Sequence, residues 1–176
     1  MSKMQLTIRE ATLEDLEKLA PLVQGFWQEH NEMLGGPGDY YTLEEALQEA
    51  KKHLSREDSG YFAAVDSSGR FVGFRRWELH DDFYFTRELY VVPEARRKGV
   101  ARALIRHFEQ WVLEKGQEIA CISCTPHNIA MIQLARAEGY DILNTIELRK
   151  NLTDRMPKPQ GEAEALGLRR SFKKEV

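Results

Sequence analysis

Residues 88–111 read ELYVVPEARRKGVARALIRHFEQW, and this stretch limits the possible folds more than any other part of the chain. Its first half is an apolar strand pattern that Pro93 must stop, because proline has no N–H to give to a ladder. Its second half repeats apolar residues at helical spacing: Val100, Leu104, Phe108, Trp111 and Val112 share one face, so the helix must pack on a sheet. Between them stand Arg96, Arg97, Lys98 and Gly99. The first turn of a helix has amides without intrahelical partners and the positive end of the helix dipole. Glycine lets backbone approach a ligand closely, and three cations add full charge. The physical reading is a site for a phosphate or pyrophosphate. The other reading is a solvated basic helix start, since Lys and Arg are common on surfaces.

The rest of the chain restricts the setting. Its 176 residues suit one domain with a single core, and a hydrophobic fraction of 42% argues against disorder over most of the length. A net charge of −3 argues against a general nucleic-acid binder. The opening MSKMQLTIRE has no apolar signal core and no run is long enough to span a membrane, so the expected compartment is the cytoplasm.

MQLTIRE reads as a first strand. Thr12 with Asp15 resembles a capping box, and Leu13, Leu16, Leu19, Leu22, Val23 and Phe26 form a helical stripe, interrupted or kinked at Pro21. GGPGDYY is a loop, and Thr42 with Glu45 caps a second helix, LEEALQEAKKHL. GYFAAVD, RFVGFRRWEL and DFYFTRELYVV are three strands with short links, which implies antiparallel pairing. The cationic loop and long helix then lead to QEIACISCT, a strand reached by a connection long enough for a right-handed parallel crossover. The helix NIAMIQLARAEG follows, and YDILNTIELRKNL suggests two strand pieces bending at Asn144. Residues 1–152 form the expected domain. Residues 153–176 are a Pro/Gly/charge-rich linker and a tail whose Leu166, Leu168 and Phe172 are expected to dock on the domain or on the partner in a homodimer.

There is no G-x-x-x-x-G-K-[ST] and no G-x-G-x-x-G, so neither a P-loop nor a dinucleotide fingerprint explains the loop. Arg96-Arg97-Lys98-Gly99-Val100-Ala101 instead matches [QR]-x-x-G-x-[GA], the signature of the GNAT superfamily of N-acetyltransferases. NIAMIQLARAEGY resembles that family's second motif, and LTIREATLEDLEKLAPL is similar to its opening. The resemblance runs from residue 6 to residue 152 in the order β-α-α-β-β-β-α-β-α-β-β.

This resemblance implies an α+β, three-layer fold. Its mixed, mostly antiparallel central sheet has about seven strands, with splayed central strands and four flanking helices. It implies acetyl-CoA as co-substrate, with the pyrophosphate on the loop of Arg96, Arg97, Lys98, Gly99, Val100, Ala101 and Arg102. The pantetheine arm would add like a strand to Tyr90, Val91 and Val92, with Asn128 and Met131 of the last helix beside it. Asn128 is also a natural helix N-cap. An acceptor pocket would be built from Trp27, His30, Asn31, Tyr40 and Tyr41, although Trp27 also fits a packing role. The acceptor is expected to be a primary amine of a small molecule or peptide.

Acetyl transfer to an amine needs a base for the ammonium, a donor for the oxyanion and an outlet for the thiolate. Glu88 is the candidate base, since alternation puts Glu88, Tyr90 and Val92 on one strand face. Its other reading is a sheet-surface carboxylate paired with an arginine. Glu78 or the pair Asp81 and Asp82 could instead attract a cationic amine, with water carrying the proton. The family tyrosine that serves as acid falls at Ala135 here, which leaves the acid unassigned. Tyr140, Tyr84, Tyr90 and Cys124 are weaker substitutes, and the thiolate could leave into water. That gap keeps a non-catalytic acyl-CoA-binding module as the alternative. Cys121-x-x-Cys124-x-x-His127 has metal-ligand residue types, but two cysteines within a strand point to opposite faces, and buried strand cysteines are the expectation, with no metal.

Overall fold

The computed structural model describes residues 5–145, 147, 150 and 152. Strand β1 is Leu6–Glu10, followed by a 3-10 turn at Leu13–Asp15 and helix α1, Leu16–Met33. Helix α2 is Leu43–Leu54; strands β2, β3 and β4 are Ser59–Asp66, Phe71–His80 and Phe83–Val91. Helix α3 is Val100–Glu114, β5 is Ala120–Ile122 and α4 is Ile129–Ala137. The strands form one sheet in the order β1-β2-β3-β4-β5. The first four are antiparallel, and β5 joins β4 in parallel after the α3 crossover. No helix among the described residues is long and apolar enough to cross a membrane.

The capping signals place the helices. The Thr12 N–H donates to Asp15 Oδ2 at 3.0 Å, and Thr42 N–H donates to Glu45 Oε2 at 2.8 Å while Glu45 N–H returns to Thr42 Oγ1 at 3.2 Å. Arg9 donates to both Asp15 oxygens at 2.7 Å, which clamps β1 to the start of α1. Helix α1 runs through Pro21 without interruption, contrary to the expected break. Proline inside a helix forfeits one i→i−4 bond, and the burial of Leu19, Ala20, Leu22 and Val23 around it holds the helix on the sheet across that loss. Leu13 leaves the expected apolar stripe and is half exposed.

Two apolar layers enclose the sheet. One holds α1 and α2 against Tyr61, Ala63 and Phe74; the other holds α3 against Phe62, Val72, Trp77 and Val91. Helix α3 buries Val100, Leu104, Ile105, Phe108 and Val112, as its spacing requires. Beneath it lies Arg75, with no solvent exposure. Its guanidinium is 3.8 Å from the Phe108 ring centre and donates to the Leu104 and Ile105 carbonyls.

Five strands stand among the described residues where about seven were expected. Described positions between residues 140 and 152 are in no strand, and Ile142 is 85% exposed, so its alternating pattern has no layer to pack on. The rest of that segment, and the linker and tail at 153–176, lie outside the described residues.

Candidate active site

Strand β4 builds the site because its two edges are treated differently. Its ladder with β5 covers only Tyr84, Phe85 and Thr86, and the Ser123 N–H closes it by donating to the Thr86 carbonyl at 3.0 Å. Beyond that point β4 continues to Val91 while β5 has ended. The Val92 N–H donates to the Val72 carbonyl at 3.0 Å, so by alternation Tyr90 and Val92 turn their main chain toward β3. Leu89 and Val91 turn theirs into the gap. The expected splay is therefore present, but its open edge falls on Leu89 and Val91, where sequence reading had Tyr90, Val91 and Val92. Which residues turn their main chain into the gap is a matter of parity, which only the ladder reveals.

A bulge decides which side chains face which layer. Trp77 pairs with Thr86 and Arg76 with Glu88, leaving Arg87 without an opposite residue. Thr86 faces α3, where it accepts from Arg75. The extra residue shifts the phase, so Glu88 and Tyr90 face α1 and α2. Unbroken alternation would have put Thr86 and Glu88 on the same face.

Glu88 is 4% exposed. Its Oε1 accepts from Arg76 Nε at 2.6 Å, and its Oε2 is buried with no hydrogen-bond partner. Burial pushes the carboxyl up to about 6, against the pull of the Arg76 charge. An orphaned carboxylate oxygen with raised proton affinity is an arrangement that can take a proton near neutral pH. The Tyr61 hydroxyl, also buried and unpartnered, has its pKa raised by burial and by the Glu88 charge. Glu78 accepts from Arg76 Nη1 and Arg87 Nε, both at 3.2 Å, which ties it up as a second base. Asp81 and Asp82 lie at the opposite end of β4, in the turn from β3.

The cationic loop is shaped for an anion. Arg97 has φ of 62° and Gly99 has φ of 88°, so two residues of the loop are left-handed and turn main-chain N–H groups into a concave nest. Gly99 is the N-cap of α3, with no side chain competing for the amides of Val100, Ala101 and Arg102 and no acidic residue in the first turn. A non-glycine residue held left-handed is strained, and such strain gathers at functional sites. Among the described residues no carboxylate pairs with Arg97 or Lys98. Arg96 and Arg102 are engaged elsewhere. Arg96 makes a two-pronged pair with Glu29 of α1 at 2.6 and 2.7 Å and donates from Nε to the Val91 carbonyl at 2.8 Å; Arg102 pairs with Glu138.

Asn128 caps α4, its Oδ1 accepting from Met131 N–H at 3.0 Å. Ala135 is buried in that helix. The Tyr140 hydroxyl is buried without a partner and burial pushes it up to about 12. Tyr84 packs on Trp111 at the far end of β4, and Tyr90 donates to Glu29 at 3.4 Å. Cys121 is half-buried in β5, and Cys124 lies exposed beyond its end. His127 Nδ1 sits 3.3 Å from the Thr125 hydroxyl, and no three potential ligands among the described residues come together as a metal site.

Trp27, His30 and Tyr41 form one aromatic group, with ring centres 5.6 and 5.8 Å from that of Trp27. Gln24 and Gln28 hold the loop by donating to the Tyr41 carbonyl at 3.1 and 3.2 Å, and Asn31 donates to the Pro37 carbonyl at 2.6 Å. Tyr41 is pushed up to about 12 by burial and by the nearby charges of Glu49, Glu45 and Glu88, which sets this loop beside the candidate base. Tyr40 is 63% exposed.

Residues 20–140 match the acetyltransferase (GNAT) family. The chain belongs to that family. Membership places it among acetyl-CoA-dependent N-acyltransferases. It is 29% identical over 119 residues to the uncharacterized N-acetyltransferase YuaI of Bacillus subtilis, a match covering 63% of this chain and 66% of that protein, just under two thirds of the relative's length. It is 27% identical over 119 residues to the aminoglycoside N(6')-acetyltransferase type 1 of Stenotrophomonas maltophilia, covering 62% and 69%. Among solved GNAT structures, the aminoglycoside N-acetyltransferase AAC(6')-Iy in complex with CoA superposes with a TM-score of 0.69 at 19% identity, covering 86% of this chain and 98% of that one, a likeness of fold.

Proposed function

We propose that this GNAT protein transfers the acetyl group of acetyl-CoA to a primary amine of a small molecule or peptide, by direct attack in a ternary complex, with Glu88 as general base. The observation that carries this reading is the buried, unpartnered Oε2 of Glu88, on the strand whose edge opens beside the anion nest. The nest at Arg97–Gly99 and the amides of Val100, Ala101 and Arg102 suit the pyrophosphate, with Lys98 as free charge and Arg96 as the wall between loop and α1. The main-chain groups of Leu89 and the N–H of Val91 suit the pantetheine amides, the Val91 carbonyl being held by Arg96. Trp27, His30 and Tyr41 form the acceptor wall, and relatives named aminoglycoside acetyltransferases support a polyamine-like acceptor.

In the reaction the ammonium gives its proton to Glu88 Oε2. The amine nitrogen then forms a bond to the thioester carbon, the carbon–sulfur bond breaks as the oxyanion collapses, and the nitrogen gives its second proton to solvent to leave the neutral amide. The thiolate takes its proton from solvent, since Ala135 stands where the family has its acid. That same alanine favours the second reading, an acyl-CoA-binding module without turnover.

Thiol release with a panel of amines separates the two. Turnover should rise with pH through about 6 as Glu88 ionises. Glu88→Gln should lower turnover about a hundredfold near neutral pH, with a smaller deficit at higher pH. A variant with the wild-type pH–rate profile would remove Glu88 from the role. Gly99→Asp should abolish CoA binding in calorimetry, because the loop needs a left-handed backbone there and the carboxylate repels phosphate.

A further inference from the structure

A buried polar chain stands behind the proposed base. From α2, His53 is buried against β2 and β3, with Nε2 2.9 Å from Glu49 Oε1 and Nδ1 3.0 Å from Ser59 Oγ and 3.4 Å from Arg76 Nη1. The Ser59 hydroxyl lies 3.2 Å from the Trp77 carbonyl. The two charged partners set the tautomer, and the single Ser59 hydrogen then serves either Nδ1 or the Trp77 carbonyl. A carboxylate only accepts, so His53 Nε2 must carry the hydrogen toward Glu49. Arg76 only donates, so Nδ1 facing it must be the lone pair. The ring is then neutral, as expected for an imidazole that burial and the Arg76 charge both hold below its ordinary range. Other groups facing it are Lys52 on its own helix and Tyr61 on β2, whose ring centre is 6.3 Å away. Around Glu88 stand Arg76 and Glu78 of β3, Glu49 of α2, Tyr61 of β2 and Tyr41 of the loop.

The consequence lies in the orientation of Arg76. Its Nη1 is anchored by His53 and Glu78, and in the plane this sets Nε reaches Glu88 Oε1 while Nη2, the other prong on that side, makes no bond to Oε2. An arginine free to turn would grip the carboxylate with two parallel bonds, its preferred geometry. We propose that His53, with its tautomer set by Glu49, is a positioning residue that restrains Arg76 from closing on both oxygens of Glu88, so that one oxygen stays open for a proton. This rests on the reading of Glu88 as base, and nothing in the sequence places residues 49, 53, 76 and 88 together.

The test follows the Glu88 carboxyl directly, by carbon-detected NMR titration, alongside the pH–rate profile. In His53→Leu, Arg76 Nη1 keeps only Glu78, and the guanidinium can turn to pair fully with Glu88. The carboxyl titration and the acid limb of the profile should both move down by about one pH unit, with turnover reduced and KM for acetyl-CoA unchanged. His53→Gln restores both bonds, an oxygen toward Arg76 and an amide toward Glu49, and should return the titration toward wild type. Glu49→Gln is the milder variant if His53→Leu does not fold. Its amide can donate to Nε2 and release the tautomer, so the shift should have the same sign. An unmoved titration in the variant that folds, or equal shifts in His53→Leu and His53→Gln, overturns the proposal. If Glu88→Gln keeps the wild-type profile, the base reading fails on that arm, and the carboxyl titration still decides whether His53 governs Glu88.

Discussion

Glu88 binds its proton more tightly in the fold than in the unfolded chain, because burial raises it from 4.5 to about 6. A carboxyl raised in this way stabilises the fold at low pH, and that contribution is lost as pH rises from 4.5 through about 6. By pH 7 the ionised group costs about 2 kcal/mol relative to its protonated form. Glu88→Gln keeps the shape and the acceptor for Arg76 but carries no charge. It should therefore unfold at the same denaturant concentration as wild type or higher at pH 7, with the difference vanishing below pH 4.5. A less stable variant at pH 7 would mean that the Arg76 pair outweighs the burial. Alternation in the sequence put Glu88 on the face of Tyr90, and the other reading, a sheet-surface carboxylate paired with an arginine, holds for the pair with Arg76 and fails for the surface, since Glu88 is buried. Its depth was not legible, nor were the partners His53 and Arg76. Those residues are brought together by pairing between strands and by packing of α2, which leave no local pattern.

Strand β4 explains most of what sequence reading placed well and most of what it misplaced. Strand order, crossover and helix faces follow from periodicity, and the capping boxes at Thr12 and Thr42 marked two helix starts correctly. The bulge at Arg87 has no such signature: arginine is an ordinary strand-surface residue, and only the opposing ladder shows that it has no partner. The loop was legible in composition and less so in use, since Arg96 turns toward Glu29 and Arg102 toward Glu138. The clamp between β1 and α1 gives an element-scale prediction. Arg9 and the Thr12 amide hold Asp15 down at about 2, so its contribution to stability is present above 3.8 and is lost as pH falls through about 2. Asp15→Ala should cost about 2 kcal/mol in denaturant melts at pH 7, as expected for losing a cap and a charge-assisted pair together. A change under a few tenths of a kcal/mol would show that the clamp is incidental.

For the molecule as a whole, the expected domain boundary near residue 152 and the homodimer are proposals carried by the sequence. The tail has too little apolar surface to order by itself, so its Leu166, Leu168 and Phe172 need a surface to dock on. Truncation after Leu152 should lower the thermal midpoint or convert a dimer to a monomer in light scattering. If both properties are retained, docking is excluded. Among the described residues the sheet is antiparallel up to β4 and parallel at the short pairing with β5, so the weakest seam there lies between β4 and β5. The extra residue at Arg87 comes immediately after that seam's last pair. One codon thus separates a strand that stays in step with its neighbours from one that breaks step where its partner ends. An insertion elsewhere in the sheet would scramble a core, but here it gives Glu88 one layer and Thr86, the partner of the buried Arg75, the other.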